Sequence, residues 1–79
     1  MTDEQTLGQR RVRLGFNPSG NPFVRMLKLS QADNIDVYES QRQIAKADPE
    51  RARLWALAQT AAEEAAMWAV KAATFEGGK

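Results

Sequence analysis

The chain has 79 residues and a formal net charge of +1, and it contains neither cysteine nor histidine. The missing residue types exclude disulfides, structural zinc sites, thiolate nucleophiles and imidazole acid/base catalysis. Because a domain of this length buries only about 60% of its unfolded surface, we expect one domain over residues 1–79 and a core that several chains share.

The first predicted element is a short helix from Thr2 to about Leu14. Thr2 is a candidate N-cap, and Gln5 follows it at the three-residue spacing of a capping box. Gly8 lowers the helix propensity of the segment. The apolar side chains of the segment are few: Leu7, Val12 and Leu14. We therefore expect this helix to lean on another surface.

The next segment, from Gly15 to Pro22, concentrates turn-forming residues and reads Gly-Phe-Asn-Pro-Ser-Gly-Asn-Pro. Pro18 disfavours the helical conformation of Asn17, so a loop is predicted. Asn21 and Pro22 suit the N-cap and the first position of a helix. The second helix should therefore begin where this loop ends.

The second predicted helix runs from Pro22 to about Ala47. Its apolar side chains recur near the spacing of one helical face: Val24, Leu27, Ile35, Tyr38 and Ala45. The polar residues Gln31 and Asn34 interrupt this stripe. The centre of the helix can therefore face a partner, a ligand or water as well as a dry core.

The third predicted helix begins at Asp48 and Pro49, which are typical of an N-cap and a first helical position. Glu50 favours the positive end of the helix dipole. The helix should continue to about Phe75 and end at the glycine pair 77–78. Because the connection between the second and third helices is short, these two helices are predicted to form an antiparallel pair.

Apolar side chains cover more than one face of the third helix, and its polar positions form one narrow stripe: Arg53, Thr60, Glu64 and Lys71. This leaves more apolar surface than one helical hairpin can bury. We therefore predict an all-α fold in which a short N-terminal helix precedes an antiparallel two-helix hairpin. Several such chains should assemble as a helical homo-oligomer.

The same pattern disfavours an enzyme. Asp33, Asp36 and Glu39 lie among basic residues on a predicted solvated helix face, so no catalytic residue, metal ligand or cofactor is expected. No apolar run approaches the roughly 20 residues of a membrane span. Met1–Glu4 is not a signal-peptide start. These features predict a non-enzymatic, cytoplasmic protein.

Basic residues gather in the first half of the chain: Arg10, Arg11, Arg13, Arg25 and Lys28. On a nearly neutral chain, such a patch suits a compact anion better than a long nucleic-acid backbone. Ordinary surface charge is the simpler interpretation. DNA binding through Arg10–Arg13 is the least favoured, because no helix-turn-helix spacing is evident.

The loop and the start of the second helix combine an aromatic ring, polar side chains and cations. Phe16 can stack on a base, and Asn17 and Ser19 can hydrogen-bond to its polar edges. Arg25 or Lys28 can contact phosphates. The same residue types also form a helix-capping turn with a hydrophobic anchor, so the residue chemistry leaves both interpretations open.

Four segments of the chain match a known pattern in order. They are Arg11-Val12, the Phe-Asn-Pro-Ser-Gly loop at 16–20, Leu27-Lys28, and Glu-Glu-Ala-Ala-Met-Trp-Ala-Val-Lys-Ala-Ala-Thr at 63–74. Over roughly residues 11–74, the chain resembles the anti-CBASS sponge family of tailed phages. Members of that family sequester the cyclic oligonucleotide messengers of bacterial immunity.

The resemblance implies a homo-oligomer, typically a hexamer, that binds cyclic dinucleotides between protomers without cleaving them. It also implies a separate pocket for cyclic trinucleotides where three protomers meet. Each bound messenger would be withdrawn from its effector in the cytoplasm of the infected bacterium. The expected partners are therefore these nucleotides and further copies of the chain, with no membrane and no long nucleic acid.

The resemblance also assigns side chains to the two pockets. Phe16, Lys28 and Ser30 correspond to cyclic-dinucleotide contacts, and residue chemistry adds Arg25. The cyclic-trinucleotide contacts correspond to a second set: Asn17, Pro18, Lys71 and Thr74. The family often carries tyrosine where this chain has Phe16, which retains the flat ring and loses the hydroxyl.

An alternative from another class remains open. The alanine-rich third helix also suits a helical interaction or structural module that binds a host or virion protein. Calorimetry with cyclic nucleotides discriminates the two hypotheses, because only a sponge binds them.

Overall fold

The computed structural model describes residues 4–76, and within that range the chain is helical with no strand. The helices are α1 (Leu7–Arg11), α2 (Pro22–Ile44) and α3 (Pro49–Ala73). α2 and α3 pack as an antiparallel hairpin, and α1 packs on α2. The predicted all-α architecture is thus confirmed. None of the helices in the described range is long and apolar enough to cross a membrane.

α1 is shorter than predicted and uses a different cap. Oγ1 of Thr6 accepts a hydrogen bond from Gln9 N at 3.1 Å, and Oε1 of Gln9 accepts one from Thr6 N at 3.2 Å. This is a complete capping box. The sequence predicted the same Thr-x-x-Gln pattern at its first occurrence, Thr2–Gln5. Gln5 is not helical, and Thr2 lies outside the described residues.

Close packing at Gly8 accounts for a helix that begins after Thr6, at the second Thr-x-x-Gln pattern. A Cβ added at Gly8 would lie 2.1 Å from the backbone oxygen of Ala32, so α1 can approach α2 this closely only through a glycine. The N–H of Gly8 also donates to Oδ1 of Asp36 at 2.7 Å. Gly8 therefore stabilises the packing of α1 on α2, although its helix propensity alone predicted only a weak helix.

α1 ends in a Schellman motif that has arginine where glycine is usual. The N–H of Leu14 donates to Gln9 O at 3.0 Å, and the N–H of Arg13 donates to Arg10 O at 3.1 Å. Arg13 has φ 56°, a left-handed conformation that costs a residue with a side chain about 1 kcal/mol. The turn places Val12 and Leu14 in the core.

α2 and α3 begin as predicted. Oδ1 of Asn21 accepts a hydrogen bond from Phe23 N at 2.9 Å, and Oδ1 of Asp48 accepts one from Arg51 N at 3.3 Å. Proline occupies the first turn of both helices. Local capping chemistry therefore determines where the two long helices start.

Both long helices end slightly earlier than predicted. α2 stops at Ile44 rather than about Ala47, because the chain turns and Asp48 N donates to Ala45 O at 2.8 Å. α3 stops at Ala73 rather than about Phe75. The glycine pair 77–78, which was predicted to end α3, lies outside the described residues.

The core of the hairpin is small. Its buried apolar residues are Val12, Leu14, Val24, Ala32, Ile35, Ala45, Ala62 and Ala66. In the described range, Ile35 and Val24 are the largest side chains with less than 2% exposure, whereas ten large hydrophobic side chains are at least half exposed. The molecule is one flat layer of helices, with extents of 50 × 37 × 12 Å.

A buried polar cluster joins α2 to α3. Gln59 is 3% exposed and donates to Glu39 Oε1 at 2.8 Å. Hydrogen bonds from Arg42, Gln43 and Gln59, with that from Arg42 the strongest, lower the pKa of Glu39 to about 2. Glu39 and Asp36 both form tertiary hydrogen bonds. The prediction of a merely solvated acidic face is therefore wrong for these two residues.

Candidate functional site

The loop between α1 and α2 is held in shape by its own polar groups. Nδ2 of Asn17 donates to Asn21 O at 2.9 Å. The hydroxyl of Ser19 donates to Asn17 Oδ1 at 2.8 Å and accepts from Asn21 N at 3.1 Å. Gly20 adopts φ 71° and donates to Asn17 O at 3.1 Å. The segment is thus the predicted helix-capping turn, but the ring of Phe16 is exposed and does not act as its hydrophobic anchor.

Lys28 ties this loop to α2. Its side chain is buried, and Nζ donates to the backbone oxygens of Arg13, at 2.9 Å, and of Phe16. Burial lowers the pKa of Lys28, and the charge of Arg13 lowers it further. The amine thus fixes the backbone on both sides of Leu14 and Gly15.

Phe16 offers a ring that is 53% exposed and lies beside two cations. Cζ of Arg13 is 4.5 Å from the ring centroid, and Nζ of Lys28 is 5.6 Å from it. Both distances are within the range of a cation–π interaction. An exposed aromatic ring next to cations can stack on a planar group and contact an anion attached to it.

Arg13, like Arg25, differs from Arg10 and Arg11 in its partners. Arg11 pairs with Glu63 at 2.7 Å, and Arg10 donates to Gln5 O at 3.0 Å. Arg13 forms no ion pair with any residue in the range 4–76. The sequence indicated Arg13 only as part of a basic patch. Its three-residue spacing from Phe16 was the available signal for their contact.

The structure brings together only part of the predicted cyclic-dinucleotide set. Phe16 and Lys28 are in contact. Arg25 is exposed one turn before Lys28, about 60° around α2 from it. Ser30 is exposed about 200° around α2 from Lys28. Within one chain, therefore, Ser30 lies on the opposite side of the helix from the Phe16 site.

The predicted cyclic-trinucleotide set lies at one end of the hairpin but forms no cluster. Pro18 and Lys71 are exposed. The amide of Asn17 is used within the loop, and Oγ1 of Thr74 donates to Val70 O at 2.8 Å. Because α2 and α3 are antiparallel, the loop before α2 and the C-terminal end of α3 lie at the same end of the hairpin. No hydrogen bond between the four residues is present in the described chain.

A groove of about 530 Å³ lies between the end of α1 and α3. Its walls include Arg11, Arg13 and Lys28 on one side and Thr60, Glu63 and Met67 on the other. The ion pair between Arg11 and Glu63 crosses it. Of the eight predicted contact residues, Lys28 alone lines this groove. The sequence did not predict the groove, because its walls come from segments about 50 residues apart.

Comparison with known proteins returned no matching family model, no similar curated sequence and no similar solved structure. The resemblance to the sponge family therefore remains a prediction from the quoted segments. The function has to be argued from the geometry of the site together with that resemblance.

Proposed function

We propose that the protein is a non-catalytic sponge that binds cyclic dinucleotides and cyclic trinucleotides and withholds them from bacterial immune effectors. The supporting observation is the exposed Phe16 ring, which has Arg13 at 4.5 Å and Lys28 at 5.6 Å. A cyclic dinucleotide combines two flat bases with two phosphates. It therefore needs a stacking surface next to cations.

The rigidity of the loop also favours tight capture. Its hydrogen bonds and the amine of Lys28 hold Phe16 in place before a ligand binds. Little conformational entropy is then lost on binding, which increases affinity. A sponge depends on affinity and copy number alone, because it gains nothing from turnover.

A second copy of the chain completes the proposed site. Ser30 and the Phe16 site face opposite sides of α2, so they can contact one ligand only if they come from different chains. The outer face of α2 suits such a contact, because it exposes apolar side chains on the same side of the helix as Ser30, at spacings of three, four and seven residues: Phe23, Met26, Val37 and Ile44. We therefore include a homo-oligomer in the proposal, and the resemblance favours a hexamer.

The second pocket rests on the resemblance and on one feature of the hairpin. The loop with Asn17 and Pro18 and the α3 end with Lys71 and Thr74 lie at the same end of the molecule, as the antiparallel packing of α2 and α3 requires. Neighbouring chains can bring these ends together around a larger ring. Lys71 supplies the cation that its phosphates require.

A titration with chemical recovery tests the proposal. Purified protein is titrated with a panel of cyclic di- and trinucleotides by calorimetry, and the bound nucleotide is then recovered after heat denaturation. A sponge binds and releases intact rings. Recovery of linear products, or the absence of binding across the panel, contradicts the proposal.

The alternative of a protein-interaction module is favoured by a different observation. Leu54, Leu57 and Trp68 expose about half of their surfaces along α3, and exposed apolar stripes commonly mark interaction sites. In that case a host or virion protein would cover the stripe. Co-purification of such a partner, together with no heat from any cyclic nucleotide, selects this alternative.

A further inference from the structure

The turn after α1 requires the backbone conformation of Arg13 but not its side chain. The φ of 56° at Arg13 is the left-handed conformation that glycine adopts without steric cost. The N–H of Arg13 bonds to Arg10 O, and its carbonyl oxygen accepts from Phe16 N and Lys28 Nζ. Glycine can form all of these hydrogen bonds. The arginine side chain therefore adds strain that the turn itself does not need.

The side chain of Arg13 is exposed beside the Phe16 ring. Its guanidinium lies on the exposed Phe16 ring and forms no ion pair within residues 4–76. The same residue lines the groove between α1 and α3. Strained backbone conformations of this kind are retained where function requires a particular side chain.

Lys28 fixes the backbone of Arg13 from the other side. Its buried amine bonds to the carbonyl oxygens of both Arg13 and Phe16. The guanidinium and the ring are therefore held as one unit on α2. Burial leaves the amine of Lys28 less able than Arg13 to follow a phosphate into the solvent-facing side of the site.

We propose that Arg13 is a further ligand-contacting residue, which binds a phosphodiester of the cyclic nucleotide while stacked on Phe16. The inference rests on the proposed function and adds a residue to it. The planar guanidinium can donate two parallel hydrogen bonds to a phosphate, and an ammonium group cannot match that geometry. Arg13 therefore also favours phosphates held beside a base over isolated anions.

Two substitutions separate this role from a structural one. Arg13→Gly removes both the guanidinium and the strain, and Arg13→Lys keeps the charge but loses the planar donors. Each is titrated with cyclic di-GMP and cyclic di-AMP by calorimetry and unfolded by heating. Arg53→Gln is the control for the loss of one positive charge, because Arg53 is exposed on α3 and pairs with Glu50.

We expect Arg13→Gly to bind at least about tenfold more weakly, since a charge-assisted contact is lost, while its Tm stays equal or rises. Arg13→Lys should bind between Arg13→Gly and wild type, and Arg53→Gln should bind as wild type does. If wild type binds and Arg13→Gly binds with the same affinity, the inference is overturned and the proposed function still stands. A lower Tm in Arg13→Gly would also overturn it by assigning Arg13 a structural role. If wild type binds neither of these two cyclic dinucleotides, the inference is overturned, and if it binds no member of the panel, the proposed function is rejected as well.

Discussion

At the residue scale, α1 has glycine inside the helix and arginine just after its end, which is the reverse of the usual arrangement. Gly8 lies inside the helix, where glycine normally weakens the structure, because the backbone of Ala32 leaves no room for a Cβ. Arg13 lies just past the helix, where glycine is usual, with φ 56°. The first residue serves packing between α1 and α2, and the second supplies charge at the candidate site.

Substitution of Gly8 should destabilise the protein. In Gly8→Ala, the new Cβ would lie 2.1 Å from Ala32 O, so α1 must move and weaken its hydrogen bond to Asp36. We expect the free energy of unfolding to fall by about 1–3 kcal/mol in urea denaturation followed by circular dichroism. Gly15→Ala is the control, because nothing lies within 4 Å of its added Cβ. Equal stability of the two variants would contradict the packing role of Gly8.

The ring of Phe16 should carry a large part of the binding free energy. Phe16→Ala removes the stacking surface, and we expect affinity for cyclic di-GMP to fall by about tenfold or more. Phe16→Tyr keeps the flat ring and should bind within a few-fold of wild type. Phe75→Ala removes an equally large ring that is 75% exposed. If calorimetry shows similar losses for Phe16→Ala and Phe75→Ala, stacking at Phe16 is wrong.

At the element scale, α2 and α3 are held together by polar and aromatic contacts as much as by aliphatic packing. Gln59 donates to both Ile35 O, at 3.4 Å, and Glu39 Oε1. Tyr38 and Trp55 stack with their centroids 5.8 Å apart. Alanines fill much of the remaining contact, so the helices approach closely but bury little apolar area. The ionised carboxylate of Glu39 is therefore one of the contacts that stabilise the hairpin.

Acid should weaken this hairpin through Glu39. Hydrogen bonds, first from Arg42, lower its pKa to about 2 in the folded chain, against 4.5 ordinarily. The ionised carboxylate therefore stabilises the fold above about pH 4.5, and that stability is lost as the pH falls toward 2. Urea unfolding midpoints measured from pH 6 to pH 2 should fall more steeply for wild type than for Glu39→Gln.

Glu50→Gln is the control for the acid titration. Glu50 also has a lowered pKa, caused by its hydrogen bond from Arg53, but it is exposed and its hydrogen bonds stay within α3. Exposed pairs of this kind contribute little to stability. Its pH profile should therefore follow wild type. A Glu39→Gln profile as steep as wild type would contradict the role given to Glu39.

At the scale of the whole molecule, the described chain exposes more large apolar side chains than it buries. Ile35 and Val24 are its largest fully buried side chains, and apolar stripes lie on the outer faces of α2 and α3. A layer 12 Å thick has little interior. In the proposed oligomer, burial of these stripes against other chains would supply the missing apolar contact, since burial contributes about 25 cal/mol per Å².

Assembly should therefore be sensitive to charge on the outer face of α2. Val37 is 57% exposed there, and Val37→Glu should dissociate the oligomer because a carboxylate is costly to bury. Arg53→Glu, on the polar stripe of α3, should leave assembly unchanged. Sedimentation velocity at micromolar concentration measures both. A wild-type protein that sediments as a monomer would contradict the proposed oligomer.

Local chemistry in the sequence was sufficient to predict where the two long helices begin. Asn21-Pro22 and Asp48-Pro49 predicted both helix starts, because a cap and the proline after it act over only a few residues. The apolar spacing predicted the buried face of α2, including Val24 and Ile35. The all-α architecture could therefore be read from the sequence.

Contacts between residues far apart in the sequence decided the start of α1 and the arrangement of the site residues, because these contacts depend on how α1 packs on α2. The capping box of α1 lies at Thr6, whereas the sequence predicted it at Thr2, and Gly8 lies where the backbone of Ala32 leaves no room for a Cβ. The predicted site residues Phe16 and Lys28 proved to be neighbours, and Ser30 lay on the opposite side of α2. The position of the Arg13 guanidinium beside Phe16 could not be foreseen, since it follows from a left-handed backbone held by the amine of Lys28.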